Sequence, residues 1–579
     1  MPTIAATLDE KFRHAIRAAF DVDADPLIAP AQNPKFGDYQ ANAAMGLAKV
    51  LAERTGQKAN PRQIAEQIKA KLELGEVATE VSIAGPGFIN VRLRPEWLAG
   101  LLQRAGASET LGVDRTAAPQ TVVVDYSGPN IAKELHVGHL RSTIIGDAIA
   151  RVLQFQGHRV IRQNHIGDWG TQFGMLIAYL QGASAEDTDL SDLEAFYVKA
   201  KKRFNEDDEF QNRARETVVK LQSGDPATLA AWRTLVEKTR ESYLPIYRRL
   251  GVLLTPEDER GESFYNEMLA GVVSELKAAG VAEESEGATV VFVDGKERAP
   301  LIVEKTGGGY LYGTTDLAAI RYRVGTLGAS RVIYLVDARQ SQHFAQVFAT
   351  ARRAGWAGDG VSLEHAAFGT MLGEDGKPFA TSKGGTTKLK DLLDEAEERA
   401  LAVVLEKNPE LPEGQKGAIA HAVGIGAVKY ADLSKDRTSD YLFSFEKMLS
   451  LEGNTAPYLL YAYARTRSVF RRAVERLGVN AGDAAKAPIA LEAPAEMALA
   501  KQILRLPDVV ELVARELKPH HLTTYLYELA SLFSAFWENC PILQSEEPVR
   551  SSRLALADLV ARTMGRGLHL LGIEHPEQM

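Results

Sequence analysis

Apolar residues recur at two different periods along this chain, and the switch between them divides it. The run TVVVDY (121–126) is short, β-branched and continuously apolar at its centre, which predicts a buried strand. STIIGDAIARVLQFQG (142–157) spaces its apolar residues three and four apart and predicts a helix. HRVIRQNHIG (158–167) then predicts a second strand. Strand, helix and strand in that order form a βαβ unit, implying a parallel sheet with a right-handed crossover. SRVIYLVDARQ (330–340), QHFAQVFATARRAGW (342–356) and EHAAFGTML (364–372) predict a second unit of the same kind.

An insertion separates the two units. It holds a charged helical block, DLEAFYVKAKKRFNEDDEFQNRARETVVKL (192–221), and a strand-turn-strand, ATVVFVDGKERAPLIVE (288–304). Such an insertion leaves a ligand site where it was, at the carboxyl ends of the parallel strands. Before the sheet, helix-like segments alternate with strand signals and end in FINVRL (88–93) after a Gly85-Pro-Gly turn. SETLGVDRTAAPQ (108–120) has no apolar period and is expected to link this first part to the next. After about residue 395 the period is helical to the end, as in YLLYAYARTRSVFRRAVERLG (458–478) and HLTTYLYELASLFSAFWENC (521–540).

Length agrees with this division, because 579 residues exceed what one hydrophobic core holds together. No apolar run reaches the length of a membrane span. The first twenty residues form an amphipathic helix pattern without the charged start and apolar block of a signal peptide. The single cysteine, Cys540, excludes an internal disulfide and any zinc site built from clustered thiolates, so a cytosolic setting is expected. A net charge of −9 argues against non-specific coating of nucleic acid, yet leaves room for local basic patches.

Candidate chemistry starts with His136-Val-Gly-His139, between the first strand and its helix. Three readings stand open on the residues alone. Two histidines three apart can share a metal ion, but a zinc site needs further ligands and only His165 is at hand. They can be ordinary core residues. Or they can serve a nucleotide: a strand end running into a helix N-terminus is an anion site, neutral imidazoles donate N–H to phosphate, and a glycine admits a ligand to the backbone.

The longer stretch DYSGPNIAKELHVGHLRST (125–143) is similar to the signature of class I aminoacyl-tRNA synthetases, in the narrower form of the arginyl enzymes. NHIGDWGTQFG (164–174), YGTTDLAA (312–319), VDARQSQHFAQVF (336–348), GKPFATSKGGTTKLKDLLDEA (376–396), LEGNTAPYLLYAYARTRS (451–468) and LHLLGIEHPEQM (568–579) resemble that family in the same order. The resemblance spans essentially the whole chain. It implies a multidomain α/β protein in which residues 1–115 form an α+β domain that contacts the tRNA D-loop. Residues 116–395 would form a Rossmann-like catalytic domain with an insertion at about 175–305, and 396–579 a helical anticodon-binding domain.

The resemblance also implies a reaction and its residues. Arginine attacks the α-phosphate of ATP to give arginyl-adenylate and pyrophosphate, and the arginyl group then passes to the terminal adenosine of tRNA(Arg). His136 and His139 would hold phosphate oxygens, Gly138 would let adenine lie against the backbone, and Asp168 and Lys377 would complete the ATP site. A guanidinium is a planar fork of donors, so its pocket needs carboxylates. Asp125 and Asp316 are expected to supply them beside Tyr312, with Asn130 and Gln340 at the α-amino and carboxylate end. Tyr312 and Asp316 are four apart and share a face if this segment is helical.

One segment departs from the general class I pattern. Phe379-Ala-Thr-Ser382 stands where most members carry a lysine that steadies pyrophosphate. Lys133 is expected to supply that charge, with Lys383 as second choice. For tRNA the resemblance points to Phe88 and Asn90 at the D-loop. Arg465 and Arg467 lie on an arginine-rich helix with Arg471, Arg472 and Arg476, and Met579 falls near the anticodon. ATP with Mg2+ as its counter-ion is substrate. No protein-bound structural metal, no membrane contact and a monomer are expected.

Overall fold

A computed structural model describes residues 1–579 except 32, 183–189, 191, 307, 380–386, 408, 480 and 485. At its centre lie four parallel strands in the order Ser362–His365, Arg331–Tyr334, Thr121–Asp125, Arg159–Gln163. Val122 and Val124 point into one buried cluster and Val123 into the other, so Thr121–Asp125 is covered on both faces. That double burial is why its sequence is continuously apolar rather than alternating. The helix Val137–Phe155, called here the signature helix, carries the chain from this strand to Arg159–Gln163 on one side. Arg331–Tyr334 later adds on the other side, with Tyr334 opposite Asp125. The strand order therefore turns back between these two, and their carboxyl ends open the crevice where ligands sit in such sheets.

The insertion contributes helices Leu193–Glu206, Asp208–Gln222 and Pro226–Arg249, and an antiparallel sheet of Glu283–Ser285, Ala288–Val291 and Leu301–Glu304. The first part of the chain folds around an antiparallel sheet ordered Ile28–Pro30, Tyr39–Ala41, Phe88–Leu93, Ala78–Ala84. Its turn needs Gly87: φ is +139°, and a Cβ would come within 2.8 Å of the Pro61 carbonyl.

Helices make up most of the C-terminal part, including Glu413–Leu433, Ala456–Leu477, His520–Asn539 and Val549–Leu570. One helix, Leu389–Lys407, runs unbroken through residue 395, so the passage from sheet to helices has no gap there. Arg141 of the signature helix pairs with Asp432 of Glu413–Leu433 at 2.9 Å, both fully buried. Removing one partner would strand the other charge, at a cost of about 3–5 kcal/mol. No helix of the described residues is long and apolar enough to cross a membrane.

Candidate active site

His136 occupies the N-cap of the signature helix in extended conformation. Its Nδ1 accepts the Gly138 N–H at 3.0 Å, and Nδ1 of His139 accepts the His136 N–H at 3.2 Å. The rings lie 4.0 Å apart, tilted by 47°. Burial, with Lys133 adding to it, lowers the His136 pKa; burial and the neighbouring His136 lower that of His139 to about 3. Both imidazoles are therefore neutral at pH 7. A neutral ring that accepts at Nδ1 carries its proton on Nε2. Two N–H donors thus stand at a helix N-terminus, where the dipole already favours an anion. Gly138 is dictated by this packing, because a Cβ there would lie 2.7 Å from the His136 ring.

The loop leading to the histidines is held in a costly shape. Ser127 and Ala132 have φ of 77° and 58°, which L-residues adopt at about 1–3 kcal/mol each. Buried bonds over-determine it. The Ser127 N–H donates to Ser142 Oγ at 3.0 Å, and the Ser127 and Tyr247 hydroxyls are 2.6 Å apart. The Gly128 N–H donates to Asn164 Oδ1 at 2.9 Å, and the Ala132 N–H to Thr239 Oγ1 at 2.9 Å. Tyr247 and Thr239 come from the insertion helix Pro226–Arg249, so the insertion fixes the loop. Asn130 rests exposed against Gly167, whose missing Cβ makes room for the Asn130 amide oxygen.

Across the crevice a set of carboxylates converges. Asp316 lies one turn after Tyr312 on the helix Tyr312–Gly325, and its Oδ2 is 2.6 Å from His343 Nε2. The His343 ring lies 4.8 Å from that of Tyr312. Glu262, in the 3-10 turn Glu262–Tyr265, has its pKa raised to about 7 by burial and by the charges of Asp168 and Asp316. Asp168 accepts from the Ser263 N–H at 2.9 Å and from its hydroxyl at 2.6 Å. Gly261 is required here, since its Cβ would collide with the Asp168 carboxylate. Like charges held this close leave the pocket short of a cation. Among the described residues no group of three or more His, Cys, Asp or Glu side chains could hold a metal ion.

Three family models match the chain in succession. They are the arginyl tRNA synthetase N terminal domain over residues 6–93, the catalytic domain of class I tRNA synthetases (R) over 102–445, and the DALR anticodon binding domain over 459–579. The chain is 54% identical to the arginine–tRNA ligases of Shigella boydii and Escherichia coli, covering 100% of each chain. The chain belongs to the arginyl-tRNA synthetase family. Its structure resembles the arginyl-tRNA synthetases of Plasmodium falciparum (TM-score 0.88, 32% identity) and Thermus thermophilus (TM-score 0.82, 27% identity), over 100% of each chain. Members are class I ligases: they activate arginine with ATP and charge tRNA with it.

For an arginyl-tRNA synthetase, the residues expected from sequence fall into three groups. His136, Gly138 and His139 stand at the start of the signature helix with Asn130 in the loop before it, Tyr312 and Asp316 share the first turns of Tyr312–Gly325, and Gln340 is exposed at the end of the turn Ala338–Gln340. Two of the expected carboxylates have partners within the protein. Asp125 is engaged from inside: buried Arg323 donates to its Oδ2 at 2.7 Å and to Gln163 Oε1 at 2.6 Å. Arg323 thereby engages one of its two carboxylate oxygens. Asp168, expected with ATP, accepts from Ser263, and its charge raises the Glu262 pKa. Glu262 itself escaped the sequence reading.

The basic residues divide likewise. Lys133 sits with its ammonium 4.8 Å from the Tyr197 ring centre, close enough to both histidines to depress their pKa values. Lys377 is exposed in a hairpin closed by Gly373 N–H to Lys377 O at 2.8 Å. Lys388 pairs with Glu134 at 2.9 Å. Lys383 lies outside the described residues. The downstream arm of that loop pairs with the signature: Val137 N–H donates to Thr387 O at 3.1 Å and Leu389 N–H to Leu135 O at 2.8 Å.

Farther out, Phe88 is half-buried and Asn90 only 2% exposed, with neither side-chain polar atom bonded. Arg465 covers Tyr461 at 4.9 Å. Arg467 pairs with Glu577 at 3.1 Å, and Arg471 donates to the Glu577 carbonyl at 2.9 Å, so these arginines hold the C-terminal tail that ends in half-buried Met579.

Proposed function

We propose that the crevice divides into an acidic pocket for the arginine side chain and a donor-lined rim for ATP. Asp316 and Glu262 take the guanidinium, with Tyr312 beside it, and Asn130 and Gln340 take the α-amino and carboxylate end. His136 and His139 donate Nε2–H to phosphate oxygens, and Lys133 and Lys377 balance the charge that leaves with pyrophosphate. ATP arrives with Mg2+ as part of the substrate. The arginine carboxylate attacks the α-phosphorus, the bond to the β-phosphate oxygen breaks, and the adenylate stays in the crevice. A hydroxyl of the terminal adenosine of tRNA(Arg) then attacks the arginyl carbonyl carbon, the bond to the phosphate oxygen breaks, and AMP leaves. The protein supplies position and charge rather than a covalent intermediate.

The observation that carries this reading is the shared geometry of the two imidazoles. Both accept a backbone N–H at Nδ1, so both present Nε2–H at the same helix end. Metal binding through either Nδ1 would have to break a backbone bond.

tRNA is read at both ends of the chain. Residues 1–115 meet the D-loop through half-buried Phe88, which stacks on a base, and through Asn90, whose buried amide has no partner within the protein. Residues 396–579 meet the anticodon, with Arg465, Arg467 and Met579 on that face. The enzyme works as a monomer in the cytosol.

ATP–pyrophosphate exchange tests the scheme. Exchange is expected only with arginine and tRNA(Arg) both present; exchange without tRNA would remove tRNA from the first step. Lys133→Ala is expected to lower kcat of exchange by about tenfold, and Lys383→Ala by less than threefold. The reverse order would return the leaving-group role to the 380–386 loop.

A further inference from the structure

Lys429, on the helix Glu413–Leu433, is fully buried and donates to the carbonyls of Leu250, at 2.6 Å, and Gly572. Leu250 closes the insertion helix and Gly572 opens the C-terminal tail. Gly572 has φ of +64°, and a Cβ on it would lie 2.8 Å from Lys429 Nζ, 3.0 Å from Asp147 Oδ2 and 3.2 Å from Arg151 Nε. Asp147 and Arg151 belong to the signature helix and bond each other at 2.7 Å. Arg151 donates to Gly251 O at 2.6 Å, and Asp147 accepts from Leu253 N–H at 2.7 Å. The cavity around Lys429 measures about 10 Å³, room for one water at most.

We propose that Lys429 is the positioning residue through which the C-terminal tail sets the signature helix. The tail is clamped at both ends. Its far end hangs on Arg467 and Arg471 through Glu577, and its near end hangs on Lys429 through Gly572. An RNA phosphate that draws Arg467 away releases the Glu577 carboxylate and leaves Arg471 on its carbonyl, so the tail gains freedom to shift at Gly572. Moving Gly572 alone would leave a buried ammonium short of an acceptor, which is costly. Asp147 and Arg151 pack against the same glycine, so the tail and the signature helix shift together. The proposal rests on the reading that Arg467 meets tRNA.

The test is pyrophosphate exchange at saturating arginine, ATP and tRNA, run as a double-mutant cycle. Lys429→Met is expected to lower kcat about tenfold, with the arginine KM within about twofold. Its melting temperature is expected to fall, because the substitution leaves the buried carbonyls of Leu250 and Gly572 without their donor, so kcat is what decides the role. Glu577→Ala is expected to lower kcat about threefold in the wild-type background and to add nothing in Lys429→Met. Additive effects, or a Lys429→Met enzyme with lower melting temperature and unchanged kcat, would reduce the residue to a structural staple. If Lys429→Met does not fold, Gly572→Ala takes its place in the cycle with the same decision. Arg467→Ala, measured by direct tRNA binding, is a separate arm. An unchanged Kd there removes the tRNA link while the cycle still decides the role of Lys429.

Discussion

Asp316→Asn is expected to raise the KM for arginine by about a hundredfold and to change that for ATP by less than about threefold. The substitution keeps the shape and removes the charge. A charge-assisted bond to a guanidinium is worth about 1.5–3 kcal/mol, and every 1.4 kcal/mol is tenfold in affinity. His343 Nε2, 2.6 Å from Asp316 Oδ2, fixes the orientation of that carboxylate, so the loss is not made good by rotation. Steady-state kinetics with each substrate varied in turn separates the two constants; equal rises in both would mean that Asp316 does not face arginine. Glu262 adds a pH dependence. Its pKa near 7 means that it is half-protonated at neutral pH. A guanidinium pairs with the ionised form, so arginine binding expels that proton. The arginine KM should therefore fall as pH rises through about 7, and rise as pH falls below it. Glu262→Gln should raise the KM and flatten this dependence, and a slope that survives in Glu262→Gln would assign the titration to another group.

The two carboxylates show how differently a sequence exposes its site. Asp316 was named through the family resemblance, and its four-residue spacing from Tyr312 does fall within one helix. Glu262 was not: it sits in a short 3-10 turn between an irregular loop and a helix, with no period to mark it among 76 acidic residues. Burial, with the charges of Asp168 and Asp316 added to it, gives it a perturbed proton. Asp125 carries a partner that the sequence did not announce. Its place at the end of a strand was plain, but its partner Arg323 lies 198 residues away, and no local pattern announces a pair that distant. The parallel sheet came through well, since continuous apolar runs and intervening helical periods are local signals. The end of the sheet domain near residue 395 did not, because Leu389–Lys407 carries one helical period straight across it. For Asn90 the sequence identified the strand, while its burial follows from contacts across the sheet with Gln40 and Ser82.

His139→Ala is expected to cost about 100- to 1,000-fold in kcat of exchange, the range seen when one preorganised donor is removed from a developing charge. His139→Gln should recover part of that loss. A glutamine amide nitrogen reaches the position of Nε2, the atom left as donor once Nδ1 accepts the His136 N–H. His139→Asn, whose amide reaches the position of Nδ1, should recover much less. The order of the three variants thus reports which ring nitrogen acts on ATP, and Asn ahead of Gln would reverse the tautomer. The pKa of about 3 adds a second, independent readout. A histidine that worked as a cation would lose activity as pH rises through its pKa. One that donates while neutral keeps its proton on Nε2 throughout the range above pH 4. The kcat profile between pH 5 and 8 should therefore carry no step from His139, while the arginine KM over the same range carries the one from Glu262. A descending limb in kcat between pH 5 and 8 that vanishes in His139→Gln would show the imidazole acting in its charged form. The division of the crevice into a neutral donor rim and a titrating acidic pocket would then fail.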